Sequence, residues 1–301
     1  MTEQISIGTS SYIGIGIMIA GGIIIPLAVC IWWLLTRKEK ITTVLIGAAT
    51  WFVFAIILES LPKLLFFNPS TSLGKAVMGN VVLYTVIGAL LAGIFEETGR
   101  LVAFKTVLRK RINKETGISH GIGHGGFEAM FIMAISGIQY IAYASMINAG
   151  TFQTVIDQAA ATGADVSSLE ALPAQIMAIT PVSGALNIIE RVSAMILHVG
   201  LSILVFYGVK RSKTGYYLLA ILLHALFDVP AALYQTGVLN LYVVEAMLAL
   251  YTIVSSYMEF CIKGITSGRW NRYKPDGSKK SSCWRHIDEE VCDAGYYAGC
   301  I

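Results

Sequence analysis

Apolar residues run through this chain in blocks of about 20 to 25, each closed by a short polar or basic segment. That block length is what roughly 30 Å of hydrocarbon requires of a helix rising about 1.5 Å per residue. Of the 301 residues, 55% are hydrophobic and only 14% are Asp, Glu, Lys or Arg, whereas soluble domains carry about 25% charged residues. A soluble fold of this size could not cover its surface. The fold class is therefore all-α: a polytopic transmembrane helical bundle of the cell membrane.

Seven spans are expected, at roughly 11 to 36, 43 to 67, 76 to 104, 120 to 148, 184 to 209, 215 to 235 and 240 to 263. The first is followed by basic residues and has no small-residue cleavage site, so it reads as a retained span. Every second loop is basic, with Arg37, Lys38 and Lys40, then Lys105 to Lys114, then Lys210, Arg211 and Lys213. The loop from about 149 to 183 has Asp157, Asp165 and Glu170 but neither Lys nor Arg. Because Lys and Arg accumulate on the cytoplasmic side, the N-terminus is expected outside and the C-terminus inside. Residues 1 to 264 would form the membrane domain with its buried polar site, and 265 to 301 a cytoplasmic polar tail. Weak helical periodicity in the outer loop suggests a short interfacial helix.

Five cysteines at wide spacings, Cys30, Cys261, Cys283, Cys292 and Cys300, form no disulfide framework. Those of the tail, with His286, match no standard zinc module. The formal net charge of +3 is dispersed over loops in no continuous patch and says little about nucleic acid, which is not expected as a partner. The lipid bilayer is the one partner that composition requires. Nothing in the sequence fixes an oligomeric state.

A charge at the bilayer centre costs at least about 2.5 to 3.5 kcal/mol, so each ionisable residue inside a span asks for a reason. The third span ends in Glu96, Glu97 and Arg100, and the fourth opens with His124 and Glu128. The fifth holds Glu190, Arg191 and His198, and the sixth His224 and Asp228, while Glu59 and Glu245 stand isolated. Residues four apart share a helix face, which pairs Glu96 with Arg100, His124 with Glu128, and His224 with Asp228. Counted from the basic helix ends, Glu96, Glu97, His198 and His224 fall roughly 12 to 18 Å inside the cytoplasmic boundary. Three helices thus bring two carboxylates and two imidazoles to one level, in a chamber opening to the cytoplasmic side. Glu190 and Arg191 lie near the outer boundary, where interfacial anchoring or a structural salt bridge accounts for them.

A shielded carboxylate suits a general base that deprotonates water, and histidines at its level can orient that water, donate to an oxyanion or bind a metal. Together they describe hydrolysis within the membrane. The string Gly121-x-Gly123-x-x-Gly126 matches a dinucleotide fingerprint only formally, because it opens a membrane helix and follows no strand. Its glycines fit a close approach of another backbone or a substrate to His124 and Glu128.

Glu96-Glu97-x-x-Arg100, His198 on a later span and His224-x-x-x-Asp228 on the next resemble the motifs of the CPBP clan, the glutamic intramembrane peptidases related to the CAAX prenyl endopeptidase. The Gly123-His124-Gly125-Gly126-x-Glu128 element and Glu190-Arg191 look like the YhfC-like branch of that clan. The resemblance spans about 40 to 260. It implies an intramembrane endopeptidase, a hydrolase of CAAX-protease-like type. Glu96 would activate water beside Glu97, Arg100 would anchor the carboxylates, His198 and His224 would hold water and stabilise the oxyanion, and Asp228 would stand beside them. Arg100 follows the glutamates by two intervening residues instead of three, Ala194 stands in place of a Phe, and Asp228 in place of an Asn.

His124 and Glu128 would line the chamber, shuttling the proton or holding the substrate. His124, His198 and His224 with one Glu would also make a zinc set, but no His-Glu-x-x-His element is present. With the resemblance favouring a metal-free glutamate mechanism, the expectation is no cofactor. The expected substrate is a membrane-embedded or membrane-proximal peptide or protein. Two readings of other classes use the same residues: a proton- or ion-coupled transporter, although no inverted repeat is visible, and a peptide-binding membrane scaffold without turnover.

Overall fold

The computed structural model describes residues 6–37, 39–111, 113–163 and 166–253. Among these it is built of helices: α1 (Thr9–Arg37), α2 (Ile41–Trp51) continued by a π-helical stretch (Phe52–Leu58) and α3 (Ser60–Phe66), then α4 (Ser72–Met78), α5 (Val81–Lys105), α6 (Glu115–Asn148), α7 (Phe152–Ala161), α8 (Ser167–Met177), α9 (Pro181–Arg211) and α10 (Gly215–Gln235). A shorter apolar helix, α11 (Leu241–Ile253), follows.

Six helices are long and apolar enough to cross a membrane: α1, the composite Ile41–Phe66, α5, α6, α9 and α10. They match the first six expected spans, and the chain is a multi-pass membrane protein. Of the seventh expected span, only the part within α11 is described. Its remainder, the polar tail and Cys261, Cys283, Cys292 and Cys300 lie outside the described residues.

The segment between α6 and α9, expected as an outer loop with one short helix, holds two, α7 and α8. They bury Phe152, Ile156 and Ile176 against Ile7 and Ile15 near the start of the chain and Ala144 and Ile147 at the end of α6. The segment is a packed cap over one end of the bundle. Its weak apolar periodicity reflects a few anchors spaced for contact with protein.

Helix α9 lies at the centre. Its most apolar stretch is 72% buried, against 22% to 33% for the other five spans, whose remaining apolar side chains face outward. Lipid is the solvent that makes such exposure tolerable. Around the C-terminal half of α9, Phe104, Leu201, Leu204, Val205, Phe227 and Leu248 close an apolar core. That core seals one end of the polar site.

The glycines of α6 act as the sequence suggested, but toward protein backbone. A methyl on Gly123 would sit 1.9 Å from the Val44 carbonyl oxygen of α2, and one on Gly121 would sit 2.5 Å from the Val199 Cα of α9. Only a helix face without Cβ atoms can approach two neighbours this closely, and the approach carries His124 fully inside the bundle. The π-helical stretch, marked by the Glu59 N–H to Phe54 carbonyl bond, lets Trp51 and Phe52 each meet Phe127 and Phe131 of α6 edge-on. Glu59, just beyond it, is buried and paired with Lys63 at 2.7 Å.

Overpacking of this kind costs about 1 to 3 kcal/mol. Gly123→Ala is therefore expected to lower the melting temperature in detergent, measured by scanning fluorimetry. Gly16→Ala, where the added methyl meets nothing within 4 Å, is expected not to lower it.

Candidate metal centre

Four helices each turn one polar face inward. Helix α5 contributes Glu96, Glu97 and Arg100; α6 contributes His120, His124 and Glu128 at successive turns; α9 contributes Arg191, His198 and Ser202; and α10 contributes His224 and Asp228. Glu97, Arg100, His120 and His124 have no solvent exposure at all. Charged groups persist at such depth only when each finds partners, so the hydrogen bonds define the site.

Arg100 organises one half. Its Nη1 pairs with Glu97 Oε1, its Nε donates to Ser202 Oγ at 3.2 Å, and its Nη2 donates to His198 Nδ1 at 2.6 Å. His224 Nδ1 closes on the same Glu97 Oε1 at 2.7 Å. Glu97 is thereby shared between a guanidinium and an imidazole and has no access to solvent. A guanidinium cannot accept, so His198 Nδ1 is the acceptor in this contact and Nε2, which carries the proton of the neutral ring, turns toward Glu128 of α6; ligating an ion through Nε2 requires that proton to leave.

The other half is a compact donor set. Glu96, His124, Glu128 and His198 each offer a ligand atom within 4.8 Å of those of the other three, and all four residues are buried. His124 Nε2 lies 2.8 Å from Glu96 Oε2, and His198 Nε2 lies 2.5 Å from Glu128 Oε2. The second contact is not aligned as a hydrogen bond: Glu128 Oε2 has no hydrogen-bond partner, and neither does His124 Nδ1. A buried polar atom left unpaired costs about 1 to 3 kcal/mol. Imidazole nitrogens and carboxylate oxygens gathered this closely, two of their polar atoms without a hydrogen-bond partner, suit a divalent metal ion with mixed N and O ligands.

The sequence-expected residues thus converge, with their roles redistributed. Glu96, His124, His198 and Glu128 form the donor set, whereas His224 leaves the expected zinc trio and holds Glu97. His224 Nε2 is 3.9 Å from Glu96 Oε2 and 3.6 Å from Asp228 Oδ2. Asp228, a third exposed, stands at the rim. Ala194, in place of a Phe, is buried in the apolar core.

Two residues, Ser202 and His120, escaped the sequence reading, and a third gained a partner it did not foresee. Arg191 pairs with Glu190, in keeping with the salt bridge considered for it, and also reaches inward to Glu128 at 3.2 Å. Ser202 joins Arg100 to His120 Nδ1, which lies 3.3 Å from its Oγ. His120 precedes His124 by one turn on the same face, and Arg191 precedes His198 by two turns, which were the signals available.

Comparison with known proteins places this geometry in a family. The model of the YhfC intramembrane metalloprotease family matches residues 21–249. The chain belongs to that family. A relative from Bacillus subtilis (strain 168), described as "Uncharacterized membrane protein YhfC", is 35% identical over 235 residues, covering 78% of this chain and 89% of the relative. No solved structure matches. The match covers every residue of the donor set. It carries the YhfC family and not the wider CPBP grouping, and the family description names a metalloprotease where a metal-free glutamate mechanism was expected.

Removing one partner of a fully buried ion pair costs about 3 to 5 kcal/mol, because the other charge is left stranded. Arg100→Ala is expected to destabilise the protein by about that amount, while the conservative Glu97→Gln costs less. Thermal unfolding of the purified variants in detergent checks the order.

Proposed function

We propose that the chain is a zinc-dependent intramembrane endopeptidase that cleaves a membrane-embedded or membrane-proximal protein substrate in a chamber opening toward the cytoplasm. The observation that carries this reading is the convergence of Glu96, His124, Glu128 and His198, from three helices, on one buried point. Catalytic zinc sites use three protein ligands and keep a position open. His124, His198 and Glu128 would hold the ion here. When bound, the ion supplies Lewis-acid polarisation of the scissile carbonyl and lowers the pKa of an attacking water.

The remaining steps belong to side chains. Glu96 takes the proton of the attacking water and passes it to the leaving amine, a general-base role that contributes about 10²- to 10⁴-fold. Glu97 does not compete for that proton, since Arg100 and His224 already hold it. His224, fixed through its Nδ1, offers Nε2 between Glu96 and the rim carboxylate Asp228. When protonated, it donates to the oxygen on which charge develops. Burial of Glu96, Glu97, His124, His198 and His224 limits their contact with bulk water.

Protein purified from membranes is expected to carry about one zinc per chain by elemental analysis, and the His124→Ala and His198→Ala double variant none. Chelation should stop cleavage of single-span reporter proteins, and added zinc should restore it. Glu96→Gln is expected to keep its zinc while losing about 10²-fold or more in turnover. Full cleavage by metal-free protein would overturn the zinc reading. Stoichiometric zinc without cleavage of any reporter would leave a binding scaffold.

A further inference from the structure

The donor set holds two carboxylates of unequal surroundings. Glu96 Oε2 meets His124 at 2.8 Å, and Arg100 Nη2 stands at 3.9 Å. Glu128 is held differently: Arg191 Nη1 donates to its Oε1 at 3.2 Å, and its Oε2 is left without a hydrogen-bond partner, facing His198 Nε2. The second arm of the same guanidinium pairs with Glu190, the preceding residue on α9. Arg191 and His198 lie two turns apart on that central helix, so one rigid element carries both a ligand and the group that grips the opposite ligand.

We infer that Arg191, braced by Glu190, is the positioning residue that makes Glu128 a metal ligand. The inference rests on the zinc reading above and assigns it a part that neither family membership nor the donor geometry alone supplies. A free glutamate side chain samples several rotamers, and a carboxylate can bind through either oxygen or both. Fixing Oε1 removes that freedom and leaves one oxygen, already desolvated, aimed at the centre. Partners of this kind behind a ligand typically change metal affinity about 10- to 100-fold. A fork that binds two carboxylates at once needs the planar geometry of arginine; lysine keeps the charge but cannot hold both in register.

A purely structural salt bridge across α6 and α9 predicts something else: a lower melting temperature with unchanged affinity for zinc. The test is therefore zinc affinity of the full-length protein in detergent, measured by competition with a chelating dye, alongside the melting temperature of each metal-free variant. Arg191→Ala is expected to weaken zinc binding about 10- to 100-fold, Arg191→Lys to restore part of the loss, and Glu190→Gln to weaken binding less than Arg191→Ala. Glu128→Gln should weaken it at least as much as Arg191→Ala. The zinc-induced rise in melting temperature should shrink in the same order, a readout that remains if Arg191→Ala folds poorly and only the lysine and Glu190 variants can be purified. Wild-type zinc affinity in Arg191→Lys and Glu190→Gln, or in Glu128→Gln, would overturn the inference while leaving zinc binding intact. A wild-type protein that takes up no zinc would instead overturn the metal reading itself.

Discussion

The interior of this bundle depends on how Arg100 is satisfied. A guanidinium with no exposure to solvent, inside helices that face hydrocarbon, stays charged and has only donors to offer. Its three nitrogens meet Glu97, Ser202 and His198. The acceptors tie two other helices to α5: Glu97 lies on the arginine's own helix and draws in His224 of α10, while Ser202 and His198 fasten α9. The polar half of the site is thus a consequence of burying one cation. The apolar core beside it makes the loss of any one partner costly, because no water is at hand to replace it.

Against this braced half stands a donor set whose atoms are close together but not fully bonded to one another. Glu97 is held by Arg100 and His224, while Glu96, its neighbour in sequence, meets His124 and joins the donor set. Two adjacent glutamates on a helix point about 100° apart. That angular difference gives the two carboxylates different partners, a distinction that spacing alone left open.

Much of this was legible in the sequence. The span positions follow from hydropathy blocks, which are local, and six of them agree with the helices. The same-face pairs His124 with Glu128 and His224 with Asp228 follow from helical spacing, and so did the shared depth of the glutamates and histidines. What escaped was whatever depended on rotation between helices. Arg191 meets Glu128 across 63 residues of chain, and no rule of spacing connects them. The metal set draws its ligands from three helices, so the lack of a compact His-Glu-x-x-His element carried no information about it. The cap of α7 and α8 was obscured for a related reason: its anchors are few, and their partners lie at the far ends of α1 and α6.

The burial of α9 has a mechanical side. A span that meets lipid along its length tilts or bends as bilayers thicken and thin. Helix α9, 72% enclosed by its neighbours along its most apolar stretch, gives the bilayer little to pull on. Changes in bilayer thickness would fall first on the outer helices, leaving the spacing of His198 and Arg191 on α9 to its protein neighbours. The polar site is thereby set by protein contacts more than by lipid.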